Sequence, residues 1–197
     1  MSLREPQPAT VKKNKMDKFK NKYRIPSARL QSWDYGNNGA YFITICTKKR
    51  YCLFGDVKDG KMQLNEIGQL AEKYWMEIPN HFSFIKLGNF VVMPNHTHGI
   101  LIINKTNDIL EESGAVETNN KTIGQMRFQN QGKNTISSIV GSYKSVVSKH
   151  SRLIHADFAW QPRFHDHIIR DAQSFENIQN YISINPIKWG KDKFYDG

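Results

Sequence analysis

The apolar positions along the chain change period several times, and each change marks a new element. Residues 40–47, AYFITICT, form a nearly unbroken run of β-branched and aromatic side chains, the composition of a buried strand. Residues 51–54 and 61–64 read as a short hairpin turned by Asp59-Gly60, a pair suited to a tight two-residue turn. Over residues 65–78 the apolar side chains Ile67, Leu70, Ala71, Tyr74, Trp75 and Ile78 recur at helical spacing. Asn65 supplies an N-cap and Pro79 a stop. Residues 82–92 and 96–104 return to strand character, separated by Pro94-Asn95. A second helix is predicted from Ile136 to about Arg152, opened by Asn134 or Thr135. Residues 160–170 read as a compact, partly extended segment. A third helix, from about Ala172 to Asn185, ends at Pro186, which has no amide hydrogen to continue the ladder. Strands and helices interleave, and most strand pairs read as antiparallel. The expected architecture is α+β: one antiparallel sheet with helices packed against it.

Two stretches stand outside this pattern. Residues 1–30 are polar and basic and contain Pro6, Pro8 and Pro26, so they read as a flexible arm before a folded domain at 31–197. Residues 105–133 are rich in Asn, Gln, Thr, Glu and Gly without a period, the character of a long loop or partly ordered insertion. No apolar run reaches the roughly 18 residues of a membrane-spanning helix. The N-terminus lacks the apolar core of a secretion signal. Cys46 and Cys52 have no metal-type spacing and imply no disulfide framework, so a reducing cytoplasm is the expected compartment.

Charge narrows the choice of partner. The 197-residue chain carries a formal net charge of +10, with a sequence pI of about 9.6. Such an excess favours a polyanion, with nucleic acid first among the candidates. Much of it is concentrated in residues 11–24, VKKNKMDKFKNKYR, where six lysines and one arginine face one aspartate. Lys12 and Lys13 belong to this run. It is expected to bind phosphates without reading sequence.

Candidate chemistry centres on His96 and His98, which open an apolar run. In a strand, residues i and i+2 point to the same face, so both imidazoles would stand side by side and offer two nitrogens to one divalent metal. On the third helix, Tyr181 and Asn185 are four residues apart and share a face. Two imidazoles and an amide oxygen would leave open coordination positions, which suits Mg²⁺ or Mn²⁺ bound together with a phosphate. A tyrosine hydroxyl is a poor nucleophile at its ordinary pKa near 10. A divalent cation and a positive field would favour its phenolate form. Tyr143 is a rival nucleophile, with Lys144 and Lys149 nearby in sequence, but it has no amide or carboxylate four residues on. His165 and His167 repeat the i, i+2 spacing. His167 is expected to support the site through a hydrogen bond. Arg163, Arg170 and Lys188 are candidates for phosphate contacts, and Trp160 is expected in the core.

Three segments in order, MPNHTHGI, WQPRFHDHIIR and NYISINPIKWG, resemble the REP-associated tyrosine transposases of the single-tyrosine HUH superfamily. The resemblance spans about residues 41–190. It implies a ferredoxin-like core with the histidine pair on a central strand. It implies an enzyme that cleaves single-stranded DNA near a hairpin, with Tyr181 as nucleophile, His96, His98 and Asn185 as metal ligands, and a 5′-phosphotyrosine intermediate. The free 3′-hydroxyl left behind could reverse the step and rejoin strands. A monomer or weak homodimer is expected. The competing classes are a hairpin DNA- or RNA-binding protein without turnover and a metal-dependent hydrolase that uses water.

Overall fold

The computed structural model describes residues 33–106 and 133–195, together with two short strands before them, β1 (Lys18–Phe19) and β2 (Lys22–Tyr23), which pair antiparallel. The chain divides into two units, Met1–Trp33 and Asp34–Gly197. Everything below concerns the second. Most of the expected N-terminal arm, with Lys12 and Lys13, and residues 107–132 of the expected insertion lie outside the described residues.

The second unit begins with strand β3 (Gly39–Cys46), followed by a hairpin of β4 (Gly55–Lys58) and β5 (Lys61–Leu64). Helix α1 (Glu66–Met76) and the short α2 (Ile78–His81) lead to β6 (Ile85–Met93) and β7 (His96–Ile103). Helix α3 (Ile136–Ile154), β8 (His165–Ile169) and α4 (Ala172–Ile184) complete the order, and a 3-10 turn, Pro186–Lys191, follows. The three longer helices start where side chains satisfy their first amide groups. The Asn65 side chain accepts from the Gly68 amide at 2.9 Å, Thr135 and Ser138 form a reciprocal capping box, and Asp171 accepts from the Ser174 amide at 2.8 Å.

Four strands form one antiparallel sheet in the order β6-β7-β3-β8. With α1 and α3 as crossovers this is the βαββαβ arrangement of ferredoxin-like folds, as expected. The first arm of the small hairpin differs from the expected 51–54. Asp59 and Gly60 both adopt positive φ (50° and 71°), so a two-residue turn pairs Lys58 with Lys61 and Gly55 with Leu64. Phe54 is left to turn into the core beside Phe158 and Trp160.

The sheet is covered on both faces, and β7 is buried on both. On one face, Trp75 of α1 stacks on Phe90 at 4.5 Å and meets Tyr143 of α3 edge-on at 5.3 Å. The indole lies directly over Gly99, where an added Cβ would come within 2.3 Å of Trp75 Cζ2, so this layer closes only over a glycine. On the other face, Ile182 of α4 packs with Ile100 and Ile169, flanked by Phe42, Val91, Phe175 and Tyr181. The residues of β7 two and four places before Ile100 are His98 and His96. The alternation of the strand therefore places the histidine pair beneath α4. No described helix is long and apolar enough to cross a membrane.

Candidate metal and tyrosine site

His96 and His98 are 0% and 1% exposed, and their Nε2 atoms lie 3.0 Å apart. Each ring is held from behind. His96 Nδ1 meets Asn95 Oδ1 at 2.7 Å, and Asn95 Nδ2 donates to the Phe194 carbonyl at 2.7 Å. That second bond fixes the Asn95 amide with its oxygen toward the histidine. His96 must therefore donate from Nδ1, and its Nε2 lone pair faces His98. His98 Nδ1 lies 2.9 Å from Thr44 Oγ1, its cross-strand neighbour on β3. When Thr44 accepts from Nδ1, the His98 Nε2 lone pair converges on the same point. Two lone pairs at this separation repel unless a proton or a cation lies between them. Neighbouring ligands of an octahedral ion at about 2.1 Å are about 3.0 Å apart, which matches the histidine spacing.

Burial drives both imidazoles toward the neutral form. It lowers the pKa of His96 to about 3, with smaller contributions from the charges of Lys193 and Arg50. His98 is also held well below the ordinary range by burial, then by His96. Neutral imidazole is the form that binds metal, so no proton needs displacing at neutral pH.

Helix α4 brings Tyr181 over the pair, its hydroxyl 3.2 Å from His98 Nε2. The ring also meets Phe42 edge-on. Burial raises the Tyr181 pKa, and the Asp192 carboxylate adds to this, whereas Asn185 opposes it. Asn185, one helical turn on, is 2% exposed. Its Nδ2 donates to Asp192 Oδ2 at 3.1 Å, but its buried Oδ1 has no hydrogen-bond partner. An orphaned amide oxygen of this kind carries a desolvation cost that a cation would offset.

Asp192 was not singled out in the sequence. Pro186 does not end the structure. It opens a 3-10 turn, in which a missing amide hydrogen is harmless, and the turn carries Asp192 back beneath Asn185. One ligand atom each from His96, His98 and Asp192 lie within 4.8 Å of one another. The donor set is therefore two neutral imidazole nitrogens, one carboxylate and one unsatisfied amide oxygen, which fits Mg²⁺ or Mn²⁺.

The other expected residues fall elsewhere. Tyr143 is 2% exposed and donates to the Ala71 carbonyl at 3.0 Å, beneath Trp75 on the opposite face of the sheet. Burial raises its pKa strongly, so it is no candidate nucleophile. His167 is exposed on edge strand β8 at the level of Phe42, whereas His165 is level with Thr44 and is the one whose charge is felt at His98. Arg163, Arg170 and Lys188 are all exposed. Trp160 is buried, with Nε1 donating to the Lys144 carbonyl. Asn95, which sets the His96 tautomer, was legible only as half of the Pro94-Asn95 turn.

The fold is that of a REP-associated tyrosine transposase. A solved structure of such a transposase, bound to a REP hairpin, superimposes with a TM-score of 0.54 at 20% identity over 86% of this chain and 77% of that one. In sequence, a Haemophilus influenzae protein described only as uncharacterised is 37% identical over 171 residues, 86% of this chain and 92% of that one. The chain belongs to the same family as that protein. No family model matches it.

Proposed function

We propose that this protein cleaves and transfers single-stranded DNA through a covalent tyrosine intermediate, with hairpin DNA as its substrate. The observation that carries this reading is the placement of the Tyr181 hydroxyl 3.2 Å from His98 Nε2, over two converging imidazole nitrogens. His96, His98 and Asp192 would hold Mg²⁺ or Mn²⁺, with the free Asn185 oxygen as a further ligand. Bound there, the cation would polarise the phosphate and stabilise the phenolate.

The chain's own residues supply the rest. Asn95 and Thr44 hold the imidazoles with Nε2 outward. Phe42 and the α4 face fix the tyrosine ring. Tyr181 Oη attacks phosphorus, an Oη–P bond forms, and the bond from phosphorus to the 3′-oxygen breaks. The phenolic proton passes to solvent, and the departing oxygen takes up a proton to leave as a 3′-hydroxyl. Attack by that hydroxyl on the phosphotyrosine reverses the step and rejoins the strand. His96, His98, Asp192, Asn185 and Tyr181 lie together within one chain, which supports a monomer or weak homodimer. The transposase that shares the fold is bound to a REP hairpin, which supports hairpin DNA as the partner. The net charge of +10 supports it independently.

The test is incubation with a pool of single-stranded hairpin oligonucleotides and Mn²⁺, read on a denaturing gel. A slower-migrating protein band that needs metal and disappears in Tyr181→Phe, with oligonucleotide binding retained, is the expected result. Binding without an adduct would favour a protein that recognises hairpins without turnover. Cleavage without an adduct, unaffected by Tyr181→Phe, would mean that water is the nucleophile.

A further inference from the structure

We infer that Arg50 and Lys193 form a clamp for the phosphate that reacts at this site, with Arg50 as the fixed arm. The inference deepens the proposed function and rests on it for the location of the reacting group.

The turn Lys48–Arg50 leaves β3 beside the histidines. It is tied to the site at its root, because the Thr47 amide donates to the Asn95 carbonyl at 2.9 Å and Asn95 is the residue that holds His96. Within the turn, Lys49 and Arg50 both adopt left-handed φ values, 55° and 58°. Two successive non-glycine residues in this region are strained, and glycine would remove the strain. The chain keeps a lysine and an arginine there instead, and the strained backbone aims Arg50 at the C-terminal segment. Its Nη1 donates to the Lys193 carbonyl at 3.3 Å, and its guanidinium carbon lies 5.1 Å from the centre of the Phe194 ring. The same ring packs on His96 at 4.5 Å, so arginine, phenylalanine and imidazole form one stack.

A purely structural cation–π contact would need one cation. Here the Lys193 ammonium also lies 4.8 Å from the centre of the Phe194 ring. Two like charges on one ring repel, and neither pairs with a carboxylate among the described residues. Asp192, the nearest acidic neighbour in sequence, already accepts from the Phe194 amide with Oδ1 and from Asn185 with Oδ2. Arg50 has five N–H donors and commits one among the described residues, leaving a fork that suits two oxygens of a phosphate. An anion between the cations would relieve their repulsion. Both charges register at His96, where Lys193 and Arg50 add to the effect of burial. Through the Phe194 ring, both cations are therefore one residue removed from His96.

Inorganic phosphate is the probe, titrated calorimetrically into the full chain with and without Mn²⁺. Arg50→Ala is expected to weaken phosphate binding at least tenfold while Mn²⁺ affinity stays within twofold. Lys193→Ala, a change at an exposed side chain, should weaken it in the same direction, and Arg50→Lys should restore part of the loss. Lys73→Ala, which removes an equal charge from an ion pair on α1, is the control for general electrostatics. Phosphate affinity in Arg50→Ala and Lys193→Ala equal to that of wild type, or reduced only as far as in Lys73→Ala, would overturn the clamp. If wild type takes up no Mn²⁺, the metal reading fails separately, and the same comparison on metal-free protein still decides the clamp.

Discussion

The chain contains two His-x-His pairs on neighbouring parts of one sheet, and they have different fates. His96-Thr97-His98 lies on β7, a central strand covered on both faces, and both rings are fully buried. His165-Asp166-His167 lies on β8 at the sheet edge, and both rings are exposed. The spacing is identical, so the spacing is not what makes a site. The first pair has a partner behind each ring, Asn95 and Thr44, which turns the free nitrogens toward one point. It also has α4 overhead with a tyrosine, and a returning C-terminal segment with a carboxylate. Burial and orientation give the first pair the geometry a metal could use, and the second pair lacks both.

The largest effect should separate the two pairs directly. Replacing His96 or His98 by Ala should abolish measurable Mn²⁺ binding in calorimetry. The double change His165→Ala, His167→Ala should leave Mn²⁺ affinity nearly intact. Equal losses from both pairs would mean that the contrast in burial carries no functional meaning. Next in size is Asn95→Ala, which removes the group that fixes His96 and leaves the Phe194 carbonyl without its donor. Loss of such a supporting hydrogen bond typically costs roughly 10–100-fold in metal affinity. An unpaired buried group costs about 1–3 kcal/mol of stability, readable as a lowered urea midpoint.

The pH dependence of stability is a gentler probe. In the unfolded chain the two histidines take up protons below about pH 6.5. In the folded chain burial keeps His96 neutral down to about pH 3 and holds His98 well below its ordinary range as well. The unfolded state therefore binds more protons, and metal-free stability should fall as pH drops from about 6.5 toward 3. His96→Gln should flatten that slope, and an unchanged slope would show that the buried rings are not its cause. The smallest expected effect is Thr44→Val, which removes the partner of His98 Nδ1 and keeps the side-chain shape. A loss of roughly tenfold in Mn²⁺ affinity is expected, at the low end of the range for such supporting groups.

Much of the framework was legible in the sequence because it depends on local periodicity. The strand at residues 40–47, the helix with Asn65 as its cap, and the alternation that puts both histidines on one face all follow from side-chain spacing. What could not be read locally depends on distant contacts. Residues 51–54 have strand composition, yet Phe54 gains more by entering the core than by pairing in the hairpin. Pro186 is a correct stop for an α-helix, but the residues after it enter a 3-10 turn, and nothing in the spacing says that Asp192 will return to Asn185. Arg50 looks like one basic residue in a short basic run, until a strained turn brings it to Phe194, whose ring packs on His96. Tyr143 and Tyr181 are both tyrosines on helices, and the face of the sheet each helix covers separates them.

The most direct test of the account is to map the covalent product. Wild-type protein would be reacted with a hairpin oligonucleotide and Mn²⁺, trimmed with nuclease, digested and sequenced by tandem mass spectrometry. The account predicts a nucleotide attached through phosphate to Tyr181, absent when chelator replaces the metal. A nucleotide on any other residue, or one that forms equally well in chelator, would contradict it.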